Sequence, residues 1–205
     1  MSQNSLKSSR TTFYVSRVAM LSAIAGMLMI FDFPIPIFPG FYKFDFSYFP
    51  VVISTFSMGP VAGAITAIIK NIIAFLIAGT FTDSAGIGAL ADLLIGLSFI
   101  VPAGLIYRKM HTKKGAIVSM AISLIIVSAF SCLFNYFFLI PAYSKFFGLE
   151  AVLKMAQAAT ESITDVKGII VLGTLPFNFL KWLVISILTI VTYKPLSKTI
   201  LKKPK

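Results

Sequence analysis

Six polar side chains interrupt the most apolar stretches of this chain: Lys70 beside Asn71, then Asp92, then Asn135, and finally Asn178 with Lys181 three residues later. Each is costly in an apolar setting and so by default marks a pathway, a binding site or a buried pair. Carboxamides donate and accept hydrogen bonds at once, and an ammonium group donates to an acceptor or balances an anion. A pocket made from them suits a planar heterocycle that carries both carbonyl and N–H groups against an apolar wall. It does not suit a bare metal ion, which needs clustered His, Cys or carboxylates. Catalysis is poorly supplied. The only histidine, His111, lies in a basic loop, no G-x-S-x-G occurs, and there is no G-x-x-x-x-G-K-[ST] loop to hold ATP. The residues point to a ligand-binding protein that is not an enzyme.

Structural roles compete with functional ones at each position. Lys70 and Asp92 can neutralise one another as an ion pair or touch a ligand, and Asn71 and Asn135 can be interhelical hydrogen-bond glue. Asn178 and Lys181 are the strongest ligand candidates. Their spacing puts both on one helix face, and no acidic residue in the same stretch pairs with the lysine. Pro176 suits the first turn of that helix, which places the pair near its outer end.

The elements that must position these residues are membrane spans. A chain of 205 residues, 58% hydrophobic and 12% charged, with a mean hydropathy of +0.92, has no polar skin. Helices of about 20 apolar residues cross a bilayer, and the apolar runs predict six, at roughly 12–31, 47–59, 60–79, 87–107, 115–140 and 169–193. The second is short and separated from the third only by Gly59 and Pro60. A tight turn there gives six spans; one long broken helix would give five.

Charge decides for six. Lys7, Arg10 and Arg17, then Arg108, Lys109, Lys113 and Lys114, then Lys194, Lys198, Lys202, Lys203 and Lys205 hold twelve of the 18 basic residues. If all three clusters face the cytoplasm, an even number of crossings separates them. Asp32, Asp45, Asp83, Glu150, Glu161 and Asp165 then fall in outer loops, and Asp92 lies inside a span. The expected fold is an all-α integral membrane protein with six transmembrane helices and both termini cytoplasmic. Its parts are a basic N-terminus at 1–11, a helical domain at 12–193 and a basic tail at 194–205. The net charge of +11 is then an orientation signal rather than a nucleic-acid footprint. The first apolar run continues past Ala23-Ile24-Ala25 to Phe31, which favours a retained helix over a cleaved signal. Cys132 is the only cysteine, so no disulfide is available.

The stretch FPIPIFPGFYKFDFSYFP, residues 33–50, follows the first span and is an outer loop whose prolines exclude regular helix and central strand. Lys43, Asp45 and Ser47 alternate with Phe44, Phe46 and Tyr48, so an extended chain turns polar groups one way and aromatics the other. Ser47 is placed to cap the next helix, with Pro50 in its first turn. Such a segment is either a stiff connector or a lid over a site.

The stretches LMIFDFPIPIFPGFYKFDFSYFP, GPVAGAITAIIKNIIAFLIAGT, LIGLSFIVPAGLIYRK, LFNYFFLIPAY and LPFNFLKWLVIS together resemble the riboflavin-binding S component of energy-coupling factor (ECF) vitamin transporters. The resemblance runs from the first span to the last. It implies that Asn135, Asn178 and Lys181 hydrogen-bond the flavin, and that the loop at about 32–46 covers it, with Lys43, Phe44 and Asp45 lining or ordering the lid. The family pattern reads Gly-x-x-Ala-Asn where this chain has Gly88-Ala89-Leu90-Ala91-Asp92. Asp at 92 implies either no flavin hydrogen bond there or a required donor as its partner, such as Lys70.

The resemblance also implies partners. S components capture a vitamin and dock on a transmembrane T component with two ATPases, through an A-x-x-x-A pattern on the first helix that Ala19 and Ala23 match here. Riboflavin is then the transported ligand, with no bound cofactor, and residence in a bacterial cell membrane follows. Flavin mononucleotide, an analogue or another vitamin remains open as the ligand. The rival reading is a self-sufficient carrier that uses Asp92 or Lys70 for proton coupling.

Overall fold

The computed structural model describes residues 3–78 and 86–199, with side-chain surroundings for 11–77 and 86–192. Asp83, the far tail with Lys202, Lys203 and Lys205, and the side chains of Lys7, Arg10, Lys194 and Lys198 lie outside the described residues. In order, the chain forms α1 (Gln3–Ile30), β1 (Phe33–Pro34), β2 (Lys43–Phe44), α2 (Tyr48–Met58), α3 (Pro60–Ala78), α4 (Ile87–Met110) and α5 (Lys113–Phe134). A π-helical stretch, Asn135–Leu139, leads into α6 (Ile140–Phe147); α7 (Leu149–Gln157) and α8 (Val166–Gly168) follow, and a second π-helical stretch, Ile169–Thr174, leads into α9 (Leu175–Thr199).

Among the described residues, five helices are long and apolar enough to cross a membrane: Thr11–Ile30, Pro60–Ile77, Ile87–Met110, Lys113–Phe147 and Val166–Thr192. Leu76, Ile125 and Val191 expose more than two thirds of their surface, and such faces need hydrocarbon against them rather than water. The sixth expected run is α2. Its 11 residues reach about 16 Å at 1.5 Å each, roughly half of a hydrocarbon layer. Eight of them are buried, so α2 is the central element of the bundle.

The boundary between α2 and α3 is a turn. Gly59 adopts φ 103°, which only glycine takes without strain, and Pro60 opens α3 where a missing N–H costs nothing. A Cβ on Gly59 would lie 4.0 Å from the Arg108 side chain, so this turn sits at the same end of the bundle as the end of α4. That end is opposite the 33–44 segment. There the chain makes a two-residue antiparallel ribbon, Phe33 facing Phe44 and Pro34 facing Lys43.

The core joins Tyr48, Val51 and Val52 of α2, Phe99 and Ile100 of α4, Met120 and Val127 of α5, and Trp182 of α9. Trp182 stacks on Phe99 with centroids 4.3 Å apart and planes 18° from parallel. Its other neighbour is Tyr48, at 4.7 Å. Tyr48 fits only because position 96 is glycine, since a Cβ there would overlap its ring and hydroxyl.

Three local expectations are corrected. Ser47 stands at the N-cap of α2 but makes no side-chain cap bond; the carboxylate of Asp45 accepts from the Ser47 N–H instead, at 2.7 Å. The 43–48 stretch does not alternate cleanly, because the ribbon ends at Phe44 and the chain bends: Phe44 and Asp45 are both buried while Phe46 is exposed. Pro176 does not open the last helix, which runs continuously from Val166, so Asn178 and Lys181 lie about 18 and 22 Å along it rather than at its outer end.

The Gly96–Tyr48 contact makes Gly96→Ala an overpacking change, because Tyr48 is 1% exposed and cannot swing away. Its expected cost is about 1–3 kcal/mol, read as a lower thermal unfolding midpoint of the purified protein in detergent.

Candidate functional site

A cavity of about 730 Å³ opens under the loop between α1 and α2. Loop residues Ile35, Phe38, Tyr42, Lys43 and Asp45 roof it, Tyr48 and Trp182 contribute to the deep wall, and Asp92, Phe177, Asn178 and Lys181 line it from α4 and α9. Tyr143, Phe147, Val152 and Met155 of the α6–α7 hairpin close the far side. The size lies within the range of roughly 300–1,000 Å³ usual for small-molecule sites, and the wall is mainly apolar with a few convergent polar groups.

Those polar groups form one connected charge cluster. Lys70 donates to Asp92 Oδ2 at 2.7 Å and lies 3.9 Å from the centre of the Tyr48 ring. Asn71 reaches the same oxygen at 3.3 Å, and the Tyr48 hydroxyl bonds the Asp92 backbone carbonyl and carboxylate at 2.5 and 2.9 Å. On its other side Asp92 Oδ1 is 3.6 Å from Lys181, whose ammonium donates to Asp45 Oδ2 at 2.8 Å. Two lysines and two aspartates from three helices and the loop thus cancel one another. Lys70 is fully buried, so its ammonium is tolerable only because Asp92 and the Tyr48 face replace its hydration.

The structural alternative for Lys70 and Asp92 is therefore what the structure contains, and Lys70 lies behind the cavity wall rather than on it. Asp92 does both jobs, pairing and lining. Asn178 donates to the Thr174 carbonyl at 3.0 Å, as a helix-interior amide often does, which leaves its other donor hydrogen and its oxygen for a ligand. Lys43 is half exposed and sits 3.5 Å from Asp32 at the rim. Phe44 packs with Phe38, Tyr42 and Phe177, stiffening the loop rather than lining the space. Asn135 is fully buried and off the wall: it donates to Ser131 O at 2.8 Å and accepts from the Tyr42 hydroxyl at 3.0 Å. Among the described residues no three His, Cys, Asp or Glu side chains come together as a metal would require.

Sequence reasoning missed Tyr42, Tyr48, Phe177 and Trp182. Trp182 and Phe177 flank the Asn178–Lys181 pair in sequence and could have been added with it. Tyr42 and Tyr48 owe their places to contacts 44 to 132 residues away, which no local spacing shows. Burial pushes the Tyr42 phenol well above the ordinary tyrosine range, so the group stays protonated and able to donate.

A roofed cavity lined by amide, ammonium and aromatic groups in a membrane bundle has a counterpart among known proteins. The family profile described as "ECF transporter, substrate-specific component" matches residues 14–193. The chain belongs to this family. The S component of a bacterial ECF transporter, solved previously, superposes with a TM-score of 0.72 at 32% identity, covering 94% of this chain and 99% of the other. The riboflavin transporter RibU of Staphylococcus aureus (strain TCH60) is 37% identical over 180 residues, 88% of each chain. The riboflavin transporter FmnP of Bacillus subtilis (strain 168) is 33% identical over 170 residues, covering 83% of this chain and 84% of its own. This S component is accordingly a multi-pass membrane transporter subunit and not an enzyme. Ala19 and Ala23 are both exposed on α1, on the side of the helix that also presents Met20, Ile24 and Met27.

The cluster sets the cost of its own disruption. Asp92→Ala strands the buried Lys70 ammonium and is expected to lower stability by about 3–5 kcal/mol, whereas Lys70→Met combined with Asp92→Leu should recover most of the loss. Unfolding of the two variants in detergent distinguishes a structural pair from a dispensable one.

Proposed function

We propose that this S component captures riboflavin from outside a bacterial cell and delivers it inward together with a transmembrane T component and two ATPases. The observation that carries the reading is the 37% identity to a riboflavin transporter over 88% of both chains. The cavity supports it: a planar isoalloxazine fits between aromatic walls, and its ring carbonyls and N–H match groups that both donate and accept. Asn178 and Lys181 bind the ring edge, Asp45 and Asp92 hold the Lys181 ammonium in place and offer acceptors, and Asn71 and Lys70 fix Asp92 from behind. Lys43 and Phe44 shape the lid. Asn135, in contact with the Tyr42 hydroxyl, is a further hydrogen-bonding group for the ring edge.

The membrane topology in this reading has six crossings, with α2 and the lid loop together making the second. Both termini and the Gly59 and Arg108 turns then face the cytoplasm, and the cavity opens outward. The exposed Ala19–Ala23 face of α1 lets the T component approach closely, as small residues do between membrane helices.

Charge also bears on which flavin binds. Lys181 is balanced by Asp45 and Asp92, and Lys43 by Asp32, so among the described residues lining the cavity there is no spare cation for a phosphate.

Titration of the purified protein, followed by quenching of flavin fluorescence, is expected to give tight binding of riboflavin and at least tenfold weaker binding of flavin mononucleotide. Asn178→Ala and Lys181→Ala should each weaken riboflavin binding tenfold or more, matching about 1.5–3 kcal/mol for a hydrogen bond to a charged or buried polar group. Absence of riboflavin binding by the folded wild type overturns the reading. Replacing Ala19 and Ala23 together by Leu should leave riboflavin affinity unchanged while abolishing co-purification with the T component and uptake by cells.

A further inference from the structure

The hairpin on the far side of the cavity, α6 and α7, turns on a single residue. Gly148 takes φ 83°, and a Cβ there would meet nothing within 4 Å, so the turn projects into open space and needs glycine for its backbone alone. One side of the hairpin is packed, where Ile140, Val152 and Ala156 meet Ile163 and Ile169. Its tip is bare. Phe146 exposes 65% of its surface, and Phe147 and Leu149 expose 45% each. Large apolar side chains grouped at one turn mark a contact surface.

Two observations say what covers it. The first is continuity: Leu133, Phe137 and Phe138 are similarly exposed on the spanning helix, and that helix runs on through Phe147. The apolar surface that lipid covers does not stop short of the tip. The second is length. The 30 residues between Lys114 and Lys145 carry no charge, and the rise from one lysine to the other is about 46 Å at 1.5 Å per residue. A bilayer measures about 40–45 Å across its headgroups, so at an ordinary tilt of about 20° the two lysines reach headgroups on opposite sides. Lys145 stands exposed in the last turn of α6, as a lysine that reaches a lipid phosphate must. Glu150 and Lys154 lie one turn apart on α7 and offset one another, which leaves Lys145 as the charge of the tip.

We infer that the tip of the α6–α7 hairpin is a lipid-binding edge, seated in the leaflet on the side of the cavity, with Phe146 and Leu149 at the headgroup–acyl boundary and Lys145 on a lipid phosphate. Phe147 shares this tip and also lines the cavity, so this part of the opening lies at headgroup level rather than in bulk water. The inference concerns the hairpin and holds whatever ligand the cavity takes. A second copy of the chain or a partner protein is the competing cover.

Cys132 is the only cysteine, so Cys132→Ser combined with Phe146→Cys or Leu149→Cys carries one spin label at the tip. The label is read in vesicles of phosphatidylglycerol and phosphatidylethanolamine by its collisions with oxygen, which concentrates among acyl chains, and with a nickel chelate, which stays in water. Phe138→Cys, on the spanning helix, and Glu161→Cys, in an exposed turn, serve as lipid and water standards in the same background. The oxygen-to-chelate ratio at both tip positions is expected to exceed that at Glu161→Cys and approach that at Phe138→Cys, and adding Lys145→Glu should lower it. A ratio equal to that of the water standard overturns the inference. Protection from both reagents also overturns it, because protein then covers the tip, and broadening between labels would show that protein to be a second copy. A ratio that Lys145→Glu leaves unchanged overturns the phosphate contact. Gel filtration and circular dichroism in detergent check the fold of each variant, and the second tip position decides the matter where the first does not fold.

Discussion

Asp92 accepts from Lys70 on one side and faces Lys181 on the other, and the arrangement of the bundle follows from keeping that carboxylate neutralised. In a membrane-embedded core an unpaired ammonium or carboxylate is costly enough to exclude, so each of the four charges fixes the place of another. Lys70 brings α3 against α4, Lys181 brings α9 to both, and Asp45 draws the loop between α1 and α2 down onto them. Tyr48 completes the cluster, since its ring covers Lys70 and its hydroxyl holds Asp92. The same four charges sum to zero. A cavity built beside them offers directed donors and acceptors with little net field, which suits a polar but uncharged aromatic ligand.

How much of this was legible depended on range. The intramembrane polar residues declared themselves, because Lys70, Asp92, Asn178 and Lys181 stand alone in apolar runs, and the Lys70–Asp92 pair was one of two readings open for them. The partner of Lys181 was not legible in its own helix: Asp45 lies 136 residues away and is turned inward by a bend after the ribbon that alternation did not foresee. The start of the last helix was misjudged because proline is common at a helix's first turn. Here the π-helical stretch before Pro176 supplies i→i+5 bonding upstream, so the helix tolerates proline in its interior. Asn135 was found as an intramembrane amide, but its partner Tyr42 sits in a loop whose aromatics all look alike in sequence.

The loop itself shows why four prolines stand between two apolar runs. Prolines restrict the backbone and lower the entropy lost when the loop closes, so a few contacts suffice to hold it. Those contacts are divided between the ion pair from Asp45 to Lys181 and the Tyr42 phenol, which reaches Asn135 and Thr174 at the irregular turns next to α5 and α9.

The shortness of α2 explains where the room for a ligand comes from. A full crossing takes about 20 residues, and α2 uses 11. The depth it leaves above Tyr48 is occupied by the loop between α1 and α2 and by the cavity, with Tyr48 and Trp182 on its wall. Closing that space with two more helical turns would satisfy the membrane equally well but would remove the site. The polar groups that the cavity exposes at that depth are therefore the cost of function, and the charge cluster is what keeps that cost small. It lies at a level where the loop, α3, α4 and α9 each contribute a side chain.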